Sequence, residues 1–205
     1  MISSEVVDGI SVVRLDRFER RNALIPDLLQ ALVAELERAA ARERPMVLTA
    51  AGSVFCPGAD IKWLAECPDP ALAADYRVCA ESASFTAAYF RIGLTPDGGA
   101  SAFLTRAIGA ARTMELLLTN RRVAAPEALS LGLVTEVVPD AVLVPRAVEV
   151  ARSLRPVPAY SLLQTRRLLD HVGLQTQLER ESVAIRTAAR HPNFRAVLQA
   201  FLDHT

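Results

Sequence analysis

The sequence predicts an α/β fold: a mixed core followed by an all-helical C-terminal stretch. Two observations carry this. Short β-prone runs alternate with helical patterns as far as Val138. After Pro139 the apolar spacing is helical almost to the end, with breaks near residues 156–158 and 191–192. The 205 residues are 51% hydrophobic and 22% charged, enough apolar material for one substantial core, or one domain with a helical appendage.

Residues 5–7 and 10–15 are β-prone and separated by Asp8-Gly9, a dipeptide that favours a tight hairpin. An arginine-rich polar loop follows, residues 17–22. Pro26 opens a helix that places Leu28, Leu29, Leu32, Val33 and Leu36 on one side. Residues 46–49 form a short apolar strand, 50–58 a loop with two glycines and a proline, and 59–66 a short helix. Cys67-Pro68-Asp69-Pro70 breaks the chain. Residues 76–80 read as a strand and 92–99 as a loop in which Pro96, Asp97, Gly98 and Gly99 cluster. Helices over 100–108 and 110–119, a short helix 126–131 ended by Gly132, and a strand 133–138 complete the mixed part. The expected organisation is a core over residues 1–139 and a helical region over 140–205.

Lysine plus arginine and aspartate plus glutamate each number 23, so the formal net charge is zero. No basic excess argues for nucleic acid and no acidic tail for a highly charged partner. The odd set Cys56, Cys67 and Cys79 matches no metal spacing and reads as reduced thiols of a cytoplasmic protein. The N-terminus lacks the pattern of a signal peptide, and no apolar run approaches the ~20 residues of a membrane helix.

Residues 47–61 join a strand, a glycine-containing turn and a helix start. A helix N-terminus leaves N–H groups unpaired and carries partial positive charge, so it can hold an anion or a developing oxyanion. Gly58 permits close backbone approach there. An ordinary strand–turn–helix connection has the same pattern.

Phe55-Cys56-Pro57-Gly58-Ala59-Asp60-Ile61 resembles the fingerprint of the crotonase (enoyl-CoA hydratase/isomerase) superfamily. Arg21-Asn22-Ala23-Leu24 is similar to that family's Asn-Ala-Leu signature. Residues 92–100, with Pro96-Asp97, resemble its Gly-Leu-x-Pro-Asp-x-Gly loop. Residues 117–134 and 194–202 resemble its later helix–strand element and C-terminal helix. The resemblance implies a ββα spiral core with an α-helical C-terminal oligomerisation region, assembled as a homotrimer or dimer of trimers. It implies an acyl-CoA thioester as substrate, so that coenzyme A arrives with the substrate and no separate cofactor or metal is expected. It makes the Ala59 N–H one oxyanion donor, and it places Arg21, Ala23, Gly58, Asp60 and Ile61 along the coenzyme A. Arg17, Arg20 and Arg21 read equally as a phosphate-binding cluster or a solvated loop.

Two family features have no counterpart in the sequence: a Lys-Pro strand and the Gly-x-x-x-Gly-Gly-Gly helix start that supplies the second oxyanion donor. On the order of 50 residues, about one repeat of the spiral, are missing near Ala74. The first hydratase glutamate goes with them, and the second position is Tyr89, a poor general base at neutral pH. Asp97 remains. The resemblance gives it the acid/base role of dienoyl-CoA isomerases, and its surroundings are similar to the ring-opening epoxyphenylacetyl-CoA isomerase branch. Beside Pro96 and Gly98 it is equally a common turn residue. The expectation is an isomerase working through a thioester enolate. The alternatives are an inactive CoA-ester-binding or assembly protein and, were the segment present in the natural protein, a hydratase. His171, His191 and His204 read as surface or capping residues, Trp63 as a core or interface aromatic, and Cys56 as a packed thiol.

Overall fold

The computed structural model describes residues 1–42, 44–58, 74–169 and 173–203. The chain forms two compact units, Met1–Cys67 with Ala141–His171 and Pro68–Asp140 with Val172–Thr205. The C-terminal helices are thus shared between the units.

In the first unit, β1 (Ile2–Val7) and β2 (Ile10–Leu15) make an antiparallel hairpin with Val7 opposite Ile10. Asp8 and Gly9 turn it with φ of 50° and 73°, the left-handed pair that a two-residue hairpin loop needs. The chain then crosses through α1 (Pro26–Ala40) to β3 (Met46–Ala50), which pairs parallel to β2 with Val12 opposite Val47. β2 is therefore the central strand, and its two faces enter different clusters. Val13 and Leu15 pack with Leu24, Leu28 and Leu32, while Ile10 and Val12 pack with Val47 and with Val148 and Ala151 of α4 (Leu143–Ser153). Burial on both faces explains why the apolar residues Ile10, Val12, Val13 and Leu15 do not simply alternate with polar ones. Leu28 is wholly buried, which is worth roughly 1.5–3 kcal/mol. Val33 departs from the expected stripe and is 52% exposed, because it lies about 100° around the helix from Leu32. α5 (Ala159–Leu169) completes this unit.

The second unit pairs β4 (Val78–Ala80) parallel with β7 (Glu136–Val138), and β5 (Ser84–Phe85) antiparallel with β6 (Val123–Ala124). Around them lie α2 (Ala100–Thr119), α3 (Ala125–Leu131), α6 (Leu174–Arg190) and α7 (Phe194–Asp203). The core joins Cys79, Leu104, Ile108, Leu116, Val123, Ala128 and Leu133. β4 and β7 are shorter than the strands expected over 76–80 and 133–138. The Arg77 carbonyl accepts from the N–H groups of Thr135 and Glu136, and the Arg77 guanidinium donates to the Leu133 carbonyl at 2.6 Å. These bonds close the N-terminal end of the β4–β7 pair. No described helix is long and apolar enough to cross a membrane.

Candidate functional site

Residues 17–24 and 51–58 are laced together by one buried side chain. Asn22 donates its amide protons to the carbonyls of Ala51 at 2.8 Å and Val54 at 2.7 Å, and its Oδ1 accepts from the Arg17 N–H at 2.9 Å. Its φ of 61° is one that asparagine tolerates better than most residues. The Leu24 N–H then donates to the Gly58 carbonyl at 3.0 Å. The Arg17 guanidinium donates to the Ala23 carbonyl at 2.8 Å, so this arginine supports the loop, whereas Arg20 and Arg21 are exposed.

Arg21, Ala23 and Gly58 are thus brought onto adjacent loops. Gly58 has φ of 102°, and no described atom lies within 4 Å of the place a Cβ would take. That backbone conformation by itself favours glycine there. Cys56 turns inward on the same loop, its sulfur accepting from the Gly58 N–H at 3.4 Å. Ala59, Asp60, Ile61 and Trp63, together with the short helix expected over 59–66, lie outside the described residues, as do Cys67, His171 and His204.

In the second unit, Asp97 sits half-buried on a loop fixed at both ends. At one end the Tyr89 carbonyl accepts from Ile92 and from Leu94, which is 2% exposed. A Cβ at Gly93 would stand 3.1 Å from Val197 of α7, and the Arg91 guanidinium lies 5.3 Å over the Phe201 ring. At the other end the Asp97 carbonyl accepts from the Ala100 N–H at 2.9 Å, opening α2. Gly99 is the N-cap of that helix, with φ of 86°, and a Cβ there would meet the Phe103 ring at 2.7 Å.

The first turn of a helix has N–H groups without intrahelical partners. In α2 two of them are met by Glu181 of α6, 4% exposed, which accepts from the N–H groups of Gly99 at 2.6 Å and Ser101 at 3.0 Å and also from the Ser101 hydroxyl. The Gln177 amide in turn donates to Ser101 Oγ at 2.8 Å. The carboxylate also sits at the positive end of the helix dipole. Glu181 was not among the expected site residues. Its neighbours Glu179 and Arg180 make the local sequence read as a solvated helix face.

Tyr89, in the position expected of a hydratase glutamate, packs against the core of this unit. Burial pushes the Cys79 thiol up, away from the reactive thiolate. His191 accepts from the Asn193 N–H through Nδ1 at 3.3 Å, a local turn bond. Among the described residues no group of three His, Cys, Asp or Glu side chains is placed to hold a metal ion.

Residues 68–204 match the family model described as enoyl-CoA hydratase/isomerase. A probable enoyl-CoA hydratase from Rhodobacter capsulatus is 32% identical, with 98% of this chain and 95% of the relative covered. A 1,2-epoxyphenylacetyl-CoA isomerase from Escherichia coli K12 is 29% identical, covering 98% and 95% respectively. Among solved structures, an enoyl-CoA hydratase/isomerase from Pseudoalteromonas atlantica T6c superposes with a TM-score of 0.87 at 28% identity, over 99% of this chain and 97% of that one. The alignment with the Rhodobacter protein runs over 248 positions, whereas this chain has 205 residues. At least 43 aligned positions therefore have no residue here, the difference between those two lengths.

Proposed function

The chain belongs to the enoyl-CoA hydratase/isomerase family, the crotonases, and from that premise we propose that it is an acyl-CoA isomerase moving a proton within a thioester enolate. In the step proposed, a carboxylate takes the proton from C2 of a 3-enoyl thioester. Electron density moves onto the thioester oxygen, and the same carboxylate returns the proton at C4, leaving the double bond between C2 and C3. Atoms and charge balance, so no separate cofactor or metal is called for. Only the oxyanion and one acid/base group are needed.

The observation that carries this reading is the Asp97 loop. Asp97 is a half-buried carboxylate at the start of α2 whose backbone is tied at Leu94 and Ala100. Tyr89 offers no second carboxylate for the water addition of a hydratase. By resemblance, the Ala59 N–H takes the thioester oxygen, while Arg21, Ala23, Gly58, Asp60 and Ile61 line the coenzyme A. The unmatched positions of the alignment favour a second reading, a protein that binds CoA thioesters and has lost turnover.

One assay separates these readings. Purified protein is offered 3-enoyl-CoA, dienoyl-CoA and ring-epoxide-CoA for isomerisation and 2-enoyl-CoA for hydration, beside Asp97→Asn. The expected result is isomerisation of one of the first three, reduced at least ~10²-fold in Asp97→Asn with thioester affinity kept. Binding without turnover would establish the second reading. Hydration of 2-enoyl-CoA that survives Asp97→Asn would make the protein a hydratase.

A further inference from the structure

The structure assigns Glu181 as the positioning residue of the Asp97 loop, and this assignment rests on the reading of Asp97 as the proton carrier. Glu181 stands on α6, 82 residues along the chain from Gly99, yet its carboxylate meets three donors of residues 99 and 101. All three are N–H or O–H groups, so the arrangement requires an acceptor on both oxygens. An amide of the same shape would turn an N–H against one of them.

The site is also closed to adjustment. Glu181 is 4% exposed, and a Cβ on Gly99 would meet Phe103 at 2.7 Å and Leu178 of α6 at 3.6 Å. Gln177 holds the Ser101 hydroxyl from the preceding turn of α6. Asp97 lies two residues before Gly99, and its own carbonyl is bonded to Ala100. The carboxylate that fixes Gly99 and Ser101 therefore fixes the backbone from which the Asp97 side chain is aimed. Misplacing a reacting group by about 1 Å can cost on the order of 10²-fold in rate while leaving substrate binding intact. Glu181 does not touch the substrate in this account; it acts through Asp97.

The test uses the whole chain and reads amide hydrogen exchange by NMR together with steady-state kinetics on the thioester that the wild type isomerises. In the wild type, the Gly99 and Ser101 amides should exchange at least ~10²-fold more slowly than in an unstructured chain. Glu181→Gln should speed exchange at Gly99 or Ser101 by ~10-fold or more and lower kcat by ~10-fold or more, with KM within about twofold. Glu181→Asp, which keeps both acceptors on a shorter side chain, should recover part of kcat. A residue that only stabilised the fold would lower the active fraction without this pattern of rescue. Unprotected Gly99 and Ser101 in the wild type would overturn the assignment, and so would unchanged exchange and kcat in Glu181→Gln. If Glu181→Gln does not fold, the wild-type exchange and the Glu181→Asp kinetics decide. If Asp97→Asn keeps full activity, the reading of Asp97 as the proton carrier fails by itself, and exchange at Gly99 and Ser101 still shows whether Glu181 holds the loop.

Discussion

Asn22 supplies both amide protons to the carbonyls of Ala51 and Val54 and takes the Arg17 N–H on its oxygen, all from a fully buried position. Asn22→Ala leaves these backbone groups without that partner. A buried polar group left unsatisfied costs about 1–3 kcal/mol, and single substitutions seldom exceed 4–5 kcal/mol. The expected loss is about 2–3 kcal/mol in urea unfolding at neutral pH. Asn22→Asp should cost at least as much, since it sets acceptor against acceptor at the two carbonyls. Losses below ~0.5 kcal/mol for both variants would contradict the clamp. Residues of this kind were legible to different degrees. Asn22, Gly58 and Asp97 stood within short strings that resemble family motifs. Glu181 stood in a charged helical run whose partners at 99 and 101 are distant in sequence, so no local pattern could reveal it.

α2 shows how one glycine divides an element at a place the sequence marks. The sequence predicts helices over 100–108 and 110–119, and the structure divides residues 100–119 at that same place, where Gly109 departs from helical geometry with φ of 79° and ψ of 158°. That combination is essentially confined to glycine, and it costs other residues about 1–3 kcal/mol. Nothing lies within 4 Å of a Cβ at Gly109, so Gly109→Ala adds backbone strain without a clash. Gly99→Ala adds both, because of the Phe103 ring at 2.7 Å. Both variants should lower Tm, Gly99→Ala the more. A raised Tm in Gly109→Ala would mean that the helix straightens and recovers the propensity gain of alanine. The hairpin, α1, α4 and α7 were readable because a turn dipeptide, a first-turn proline or a sustained apolar period marks each. β5 and β6 were not, since a two-residue strand is too short to show alternation. Their pairing is decided by the packing of Phe85 and Val123 into the core of the second unit.

At the scale of the whole molecule, equal numbers of acidic and basic side chains keep the formal charge near zero at neutral pH, and acid removes that balance. The carboxylates of Glu115 and Glu127 lie below their ordinary range, each chiefly through its hydrogen bonds from the Arg121 guanidinium, whose nitrogens reach them at 2.8 and 2.9 Å. Asp140 is likewise held down, chiefly by the hydroxyl of Ser82 and then by its N–H. The sign follows from linkage. A carboxylate whose folded pKa is depressed contributes stability that is complete above its unfolded pKa and is lost as pH falls through the folded one. Arg121 is shifted upward and stays charged throughout, so it adds no slope in this range. The urea midpoint should therefore hold from pH 7 to about 5 and fall progressively below it. These are exposed pairs, so 0.5 M salt should weaken the Arg121 contribution, with the Debye length there below ~8 Å. Arg121→Gln should lower the midpoint at pH 7 and flatten its decline toward pH 3, because Glu115 and Glu127 then titrate near their unfolded values. Ser82→Ala should flatten the part due to Asp140. Parallel midpoint curves for the wild type and Arg121→Gln between pH 5 and 3 would show that the acid sensitivity of the chain arises elsewhere.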